Sequence, residues 1–315
     1  MSIIFLILLI IGHKYTMALL KDSNEQAVLK EGEFRRNKDG STSIGYNMAS
    51  LGFYNIETGK RIKNGSLIKP VDGKINGRIY YQQNYPEGFD YILIAMVDYK
   101  KHNFVIDGVT YEDYSFSLDK KDEINIDISV EGLDKDAKEF TFFLVKDIHV
   151  KALYEKEKEN LTMWMLRETK YSFAQRFLLR ESIMETRMNN SDSYNEFITN
   201  KDFIIDLVKT HNIYEPMPIY QNNSGDELEV VIQNKYDTEM NYAVFGFLDW
   251  EQILIDGDSP IKYIEIPSKA SIYFKVKIPE ISENKSFQIY YIPQVNSNAI
   301  NGFYPESTYK TILTQ

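Results

Sequence analysis

Apolar and polar residues alternate with a period of two along much of this chain. In "EINIDISV" from Glu123, the isoleucines and the valine share one face while Asn125, Asp127 and Ser129 share the other. That is the mark of a half-buried β-strand. The same reading applies to "EFTFFLV" from Glu139, "SIYFKVK" from Ser271 and "SFQIYYI" from Ser286. Between them lie stretches such as "EGLDKDAKE" and "PEISENKS", whose Gly, Pro, Asp and Asn content suits chain reversal. Short strands at regular intervals with few helical signals predict antiparallel sandwiches.

The strands also repeat. "YILIAMVDYKKHNFVIDG" from Tyr91 returns as "YAVFGFLDWEQILIDG" from Tyr242. Tyr91 corresponds to Tyr242, Asp98-Tyr99 to Asp249-Trp250, and Asp107-Gly108 to Asp256-Gly257. Further on, Ile124, Ile126, Ile128, Val130 and Leu133 fall opposite Ile272, Phe274, Val276, Ile278 and Ile281, and "EFTFFLV" falls opposite "SFQIYYI". The repeated phrase predicts a pair of successive strands in each of two tandem domains.

Lys151 to Gln221 breaks the repeat. "ALYEKEKENL" has helical composition, and "NKDFIIDLVKTH" offers an Asn200 cap with Phe203, Ile204, Leu207 and Val208 on one face, so a short helix is expected there. "KYSFAQRFLLRESI" reads either as a first strand of the second domain or as a helix, and Met163, Trp164 and Met165 as inter-domain packing. Pro216 and Pro218 introduce the second domain.

The strand pattern resembles tandem immunoglobulin-like modules in general form, a resemblance that assigns no residue a role. The expected fold is therefore all-β: two tandem immunoglobulin-like antiparallel β-sandwiches, at 42–150 and 222–315, joined by a partly helical connector at 151–221. A polar tether at 21–41 and an N-terminal hydrophobic segment at 1–20 precede them.

That hydrophobic segment is the localisation signal. Ile3 to Ile11 is an uninterrupted apolar run, within the ~7–15 residues of a signal-peptide core and short of the ~17–25 needed to span a bilayer. Thr16-Met17-Ala18 offers a cleavage site before Leu19. No Lys or Arg precedes the run, the reverse of a signal peptide's usual order. Three readings follow: a basic leader upstream, an uncleaved anchor, or a cytosolic product starting at Met17. The expectation is an extracellular or cell-surface protein, in contact with the membrane only through this segment.

Composition narrows the chemistry. The chain has 315 residues, 43% hydrophobic and 14% aromatic, enough for two packed cores. A net charge of −10 disfavours nucleic acid, and the Arg35, Arg36, Lys38 cluster sits among Glu31, Glu33 and Asp39. With no cysteine, disulfides, thiolate zinc sites and cysteine nucleophiles are excluded. The sequence contains no G-x-S-x-G, H-E-x-x-H or Walker A motif, and its histidines, at 13, 102, 149 and 211, are dispersed. No cofactor and no metal are expected. Asp107 and Asp256 read as Asp-Gly turns, and the acidic "DKKDEINID" becomes "SKASIYFKV" in the second copy, which argues against a shared calcium loop.

The reading these features support is a non-enzymatic surface protein that binds or spaces extracellular protein or glycan. Tyr99 and Trp250, with Asp98 and Asp249 beside them, are the candidate ligand-contacting residues. The alternatives are a hydrolase using acidic residues in an inter-domain cleft, and a cytosolic interaction protein.

Overall fold

The computed structural model describes residues 49–85, 88–146, 172–180, 194–197, 207–208, 219–221, 227–234, 236–255, 257, 259–278, 280–294, 306–308 and 310–314. Among these there is no helix. The expected N-terminal hydrophobic segment, polar tether, "ALYEKEKENL" helix and Met163–Met165 patch lie outside the described residues, as does Asp256.

The first unit contains β1 (Ala49–Tyr54), β2 (Arg61–Ile62), β3 (Ile75–Gln83), β4 (Phe89–Val97), β5 (Lys100–Lys101), β6 (Phe104–Ile106), β7 (Val109–Tyr111), β8 (Asp113–Leu118), β9 (Glu123–Val130), β10 (Glu139–Lys146) and β11 (Ser172–Leu178). The second contains β12 (Tyr194–Phe197), β13 (Leu207–Val208), β14 (Ile219–Gln221), β15 (Glu227–Gln233), β16 (Met240–Leu248), β17 (Glu251–Ile253), β18 (Lys262–Ile266), β19 (Ser271–Lys277), β20 (Lys285–Pro293), β21 (Glu306–Ser307) and β22 (Thr311–Thr314). Each unit is two sheets. The first pairs β2-β1-β3-β9-β6-β7 with β11-β10-β4-β5, β8 lying along β4; the second pairs β12-β19-β15-β13 with β14-β22-β20-β16-β17.

The repeat holds in three dimensions. The outer order β1-β3-β9 has its counterpart in β13-β15-β19, and the inner order β11-β10-β4-β5 in β22-β20-β16-β17; the edge beside β9 is filled by β6, that beside β19 by β12, which comes earlier in the chain. In both units the chain crosses from outer to inner sheet early. Leu67 bridges in parallel to Leu178 in the first, and β14 runs parallel to β22 in the second.

Alternation decides the outer sheets. On β9, Ile126, Ile128 and Val130 are buried while Asn125 and Asp127 are exposed, as the period of two predicts. They face Phe53, Ile79, Leu93, Phe140, Phe142 and Phe177 in the first core. Val230, Ile272, Phe274, Val276, Ile289 and Tyr291 fill the second.

Two expectations are corrected. "SFAQRFL" is β11, neither a helix nor the opening strand of the second domain. It pairs antiparallel with β10 from Glu139↔Leu178 to Val145↔Ser172, and Phe177 is fully buried in the first core. Within the expected 200–211 helix, Leu207-Val208 is instead β13, paired with Glu229-Val230 of β15. Pairing to an existing sheet edge outweighs a weak intrinsic helix preference. The partly helical connector is thus replaced, where described, by strands belonging to the two sandwiches.

One close approach fixes the first core. Gly77 lies beneath the Phe53 ring, two residues from Phe53's register partner Ile79, and a Cβ built on it would come within 2.0 Å of that ring. Phe53 has no exposed surface into which to retreat and packs 5.1 Å from the Phe177 ring. Gly77→Ala is expected to lower stability by about 1–3 kcal/mol through overpacking, measured by urea denaturation. An unchanged midpoint would show that the ring has another place to go.

Candidate functional site

The central inner strands do not alternate. β4 reads "YILIAM" from Tyr91 and is buried throughout. Tyr91, Leu93 and Ala95 enter the first core, while Ile92, Ile94 and Met96 point the other way. A strand buried on both faces reads as a continuous apolar run. The same is true of β16, where Tyr242 and Val244 face the second core and Ala243, Phe245 and Phe247 face away from it.

Those outward faces meet. Ile92, Ile94, Met96, Phe143 and Val145 of the first sandwich join Ala243, Phe245, Phe247, Tyr290 and Ile292 of the second in one buried cluster. Phe143 stands edge-on to Tyr290 at 5.3 Å and to Phe245 at 6.0 Å. The inner sheets therefore form a seam that joins the two sandwiches face to face.

A polar network crosses this seam. The Arg176 guanidinium on β11 donates to both Glu139 carboxylate oxygens, through Nη2 at 2.6 Å and Nε at 2.5 Å, and the two side chains are only 3% and 1% exposed. Arg176 Nη1 reaches the Pro293 carbonyl of the second sandwich at 2.6 Å. Tyr99 donates its hydroxyl to Glu139 at 3.0 Å and accepts from Arg176 at 3.1 Å, and Thr141 also donates to Glu139. Burial alone would draw the Arg176 pKa down, but the adjoining Glu139 carboxylate and Tyr99 hydroxyl hold it above its ordinary value. Burial, then the Glu139 charge, drives the Tyr99 phenol well up. Arg176 is a locked cation and Tyr99 a locked neutral donor.

The four sequence candidates are the central residues of two hairpin turns. Val97 pairs with Lys100 and Leu248 with Glu251, leaving Asp98-Tyr99 and Asp249-Trp250 as two-residue loops. All four have positive φ: 47° and 65° in the first copy, 48° and 73° in the second. This is the pattern of a type I′ turn, which usually employs Asn-Gly or Asp-Gly. An aromatic residue in that region is strained.

Anchoring compensates the strain. Asp98 Oδ1 accepts from the Lys138 and Glu139 amides at 2.9 Å, and the Asp98 amide donates to the Glu139 carbonyl. Asp249 repeats the device on Ser286, accepting its amide at 2.8 Å and donating to its carbonyl. The repeated aspartates thus tie each turn to the start of the neighbouring inner strand, β10 in the first unit and β20 in the second.

Tyr99 is 3% exposed inside the seam, so as a candidate for ligand stacking it is corrected: its ring packs against Tyr263 and its hydroxyl is engaged. Trp250 is partly buried, with Lys310 Nζ 5.1 Å from its ring centre. Gln252 reaches across to the first turn, donating to the Tyr99 carbonyl and accepting from the Lys101 amide, both at 2.8 Å. Asp107 and Gly108 form a separate positive-φ turn between β6 and β7, as their dipeptide predicts. His102 bonds the Glu131 carbonyl at 2.8 Å, apart from the seam network.

Sequence reasoning missed Arg176, Glu139, Gln252 and Lys310. The available signal was the unbroken apolar runs of β4 and β16, which imply a second covered face. Nothing local marks a charged pair separated by 37 positions as buried. Among the described residues, no group of three or more His, Asp or Glu is placed to hold a metal ion.

Arg176→Met alone is expected to cost about 3–5 kcal/mol, because it strands the buried Glu139 carboxylate, whereas Arg176→Met with Glu139→Leu should recover most of that loss. Equilibrium denaturation of the three proteins separates these outcomes; equal losses in single and double variants would place the cost in packing rather than in charge. Asp98 supplies a pH test. Burial raises its pKa, with the Lys138 and Glu139 amides opposing. In the window from the ordinary aspartate value up to the raised one, the folded state holds more protons than the unfolded state, so this contribution falls as pH rises. Asp98→Asn should remove that part of the stability–pH slope, read as the difference between variant and parent. An identical slope in both would argue against it.

No protein-family model matches the chain, and no curated protein sequence matches it. Solved structures with partial likeness include the red sea bream transglutaminase, 7% identical over 85% of this chain and 31% of that one, with a TM-score of 0.22. This chain thus spans about a third of that enzyme's length. The C-terminal domain of the Streptococcus pyogenes antigen I/II-family protein AspA is 10% identical over 85% of this chain and 99% of its own, at a TM-score of 0.26. The E. coli chaperone DraB is 9% identical over 86% and 98%, also at 0.26. At these TM-scores the likenesses give the site no assignment.

Proposed function

We propose that this chain is an exported or membrane-anchored, non-enzymatic cell-surface protein whose paired sandwiches, immunoglobulin-like in strand order, bind or space an extracellular protein or glycan. The observation that carries this reading is the seam. It joins two sandwiches into a stiff unit through desolvated apolar faces, an arrangement suited to presenting surfaces at a fixed separation. The apolar run Ile3–Ile11 supports export or anchoring. The strand orders, with a first segment that crosses between sheets, support the immunoglobulin-like description.

A hydrolase reading needs free carboxylates in a cleft between the domains. Here that space holds Phe143, Phe245, Phe247 and Tyr290, and its buried carboxylate, Glu139, is committed to Arg176. With Tyr99 enclosed, Trp250 is the remaining ring of the two candidates.

Fractionation of the native host with N-terminal sequencing tests the location. The proposal expects a wall-bound, secreted or membrane-retained protein, the released forms beginning at or near Leu19. A soluble intracellular product beginning at Met17 would overturn it. For contact with a ligand, Trp250→Ala should weaken binding to host-surface glycan or protein arrays by tenfold or more with the fold retained by circular dichroism; unchanged binding would remove Trp250 from the proposal.

A further inference from the structure

The contacts across the seam are reciprocal in the repeat's own numbering. The β10 and β20 registers place Arg176 opposite Thr141 and make Lys310, the residue before Thr311 opposite Phe287, its counterpart. Lys146 is likewise the counterpart of Pro293, since "EFTFFLVK" aligns with "SFQIYYIP". Arg176 donates to the Pro293 carbonyl at 2.6 Å, and Lys310 donates to the Lys146 carbonyl at 3.0 Å. Each contact is the other with the domains exchanged.

Two further seam contacts obey the same rule. Phe143 meets its own counterpart, Tyr290. Lys101 meets its counterpart, Gln252, through the Lys101 amide. Inside each unit the turn aromatic also meets the corresponding cation, Tyr99 bonding to Arg176 and the Trp250 ring lying near Lys310. A surface whose residue i touches j while j touches i is an isologous interface, the kind that relates two copies of one molecule by a two-fold axis. Here both halves lie in one chain.

Each inner face is therefore half of a closed, self-complementary pair. If a chain opens, Ile92, Ile94, Met96, Phe143 and Val145 on one side and Phe245, Phe247, Tyr290 and Ile292 on the other are uncovered together. Contiguous apolar surface of that kind does not persist in water. Thirteen residues, 181–193, separate Arg180 from the first described strand of the second sandwich. Fully extended they reach up to about 45 Å. Exchange requires that this length let the second sandwich leave its own first sandwich and seat on another.

We infer that the seam is an interaction surface for a second copy of this chain, forming an exchanged dimer in which each first sandwich packs on the partner's second sandwich. Both seams of that dimer repeat the contacts of the monomer, so the two states differ chiefly in the entropy of association. The linked geometry gives the closed monomer an effective concentration in the millimolar range, so exchange is favoured by crowding or by refolding at high concentration.

The specificity of the pairing is also built in. Direct pairing of two first sandwiches would set Lys101 against Lys101, whereas the observed seam sets it beside Gln252 and 3.4 Å from Glu251. Asp113 of the same unit, 2.8 Å from Lys101 Nζ, already pairs that charge, so the preference for a second sandwich rests on the Gln252 and Glu251 contacts.

The test uses full-length chains carrying tags of different mass. Phe143→Lys damages one inner face in one chain, and Tyr290→Glu damages the complementary face in the other. Refolded together, they can form a mixed dimer with one intact seam and one Lys–Glu seam, so native mass spectrometry should show mixed dimers at least tenfold above either homodimer. If either variant fails to fold, the parent chain is refolded across a hundredfold range of concentration. Its dimer-to-monomer ratio by light scattering should then rise in proportion to concentration. Monomer alone in both experiments, or dimers without preference for the mixed pair, would overturn the exchange.

Discussion

The structure depends on the removal of water from between two β-sheets. β4, β10, β16 and β20 are covered on both faces, one by their own sandwich and one by the other domain. Full burial of a large apolar side chain is worth roughly 1.5–3 kcal/mol, so the residues of the seam together rival the net stability of a domain. Into this dry layer the fold places one bidentate ion pair. The Arg176–Glu139 pair adds little net stability over apolar residues of the same volume, but it tolerates no partial version of itself. Its effect is on geometry: Arg176 reaches the Pro293 carbonyl only when the two sheets sit in this one relation.

Much of this was legible in the sequence, and the rest was hidden for identifiable reasons. The alternation on β9 and the repeated phrase led directly to paired antiparallel sandwiches, since a period of two leaves few other solutions. β11 was misread because "SFAQRFL" carries no turn signal that says which sandwich it completes. Only its hydrogen bonds to β10 decide that. Local spacing predicts a helix at Leu207-Val208, whereas the available sheet edge at β15 determines its conformation. In each case a non-local pairing outweighed a local preference.

The candidate site shows the same division. The repeated Asp-aromatic dipeptides stand out in the sequence, and the structure gives them a specific position, with all four residues at positive φ and the two carboxylates tied to the starts of the neighbouring strands β10 and β20. Their recurrence looked like a surface for ligands because exposed aromatics usually signal contact. Tyr99 is enclosed by Tyr263, Glu139 and Arg176, all far from it along the chain, and that separation hides its difference from the partly open Trp250. A turn that Gly would normally occupy holds an aromatic instead because the ring is needed on the domain boundary.

The face-to-face arrangement also sets a condition on biosynthesis. The described strands of the first sandwich are complete once Arg180 has been made, but the surface that covers it ends only at Ile292. At roughly 5–20 residues per second, translation leaves an interval of roughly 6–22 s in which Ile92, Ile94, Met96, Phe143 and Val145 have no partner from the same chain. During that time a charged residue, Arg176, also waits for a carbonyl not yet synthesised. The protein's most exposed period is its own elongation, and its yield in a cell rests on what shields that half-built face until the second copy of the phrase emerges.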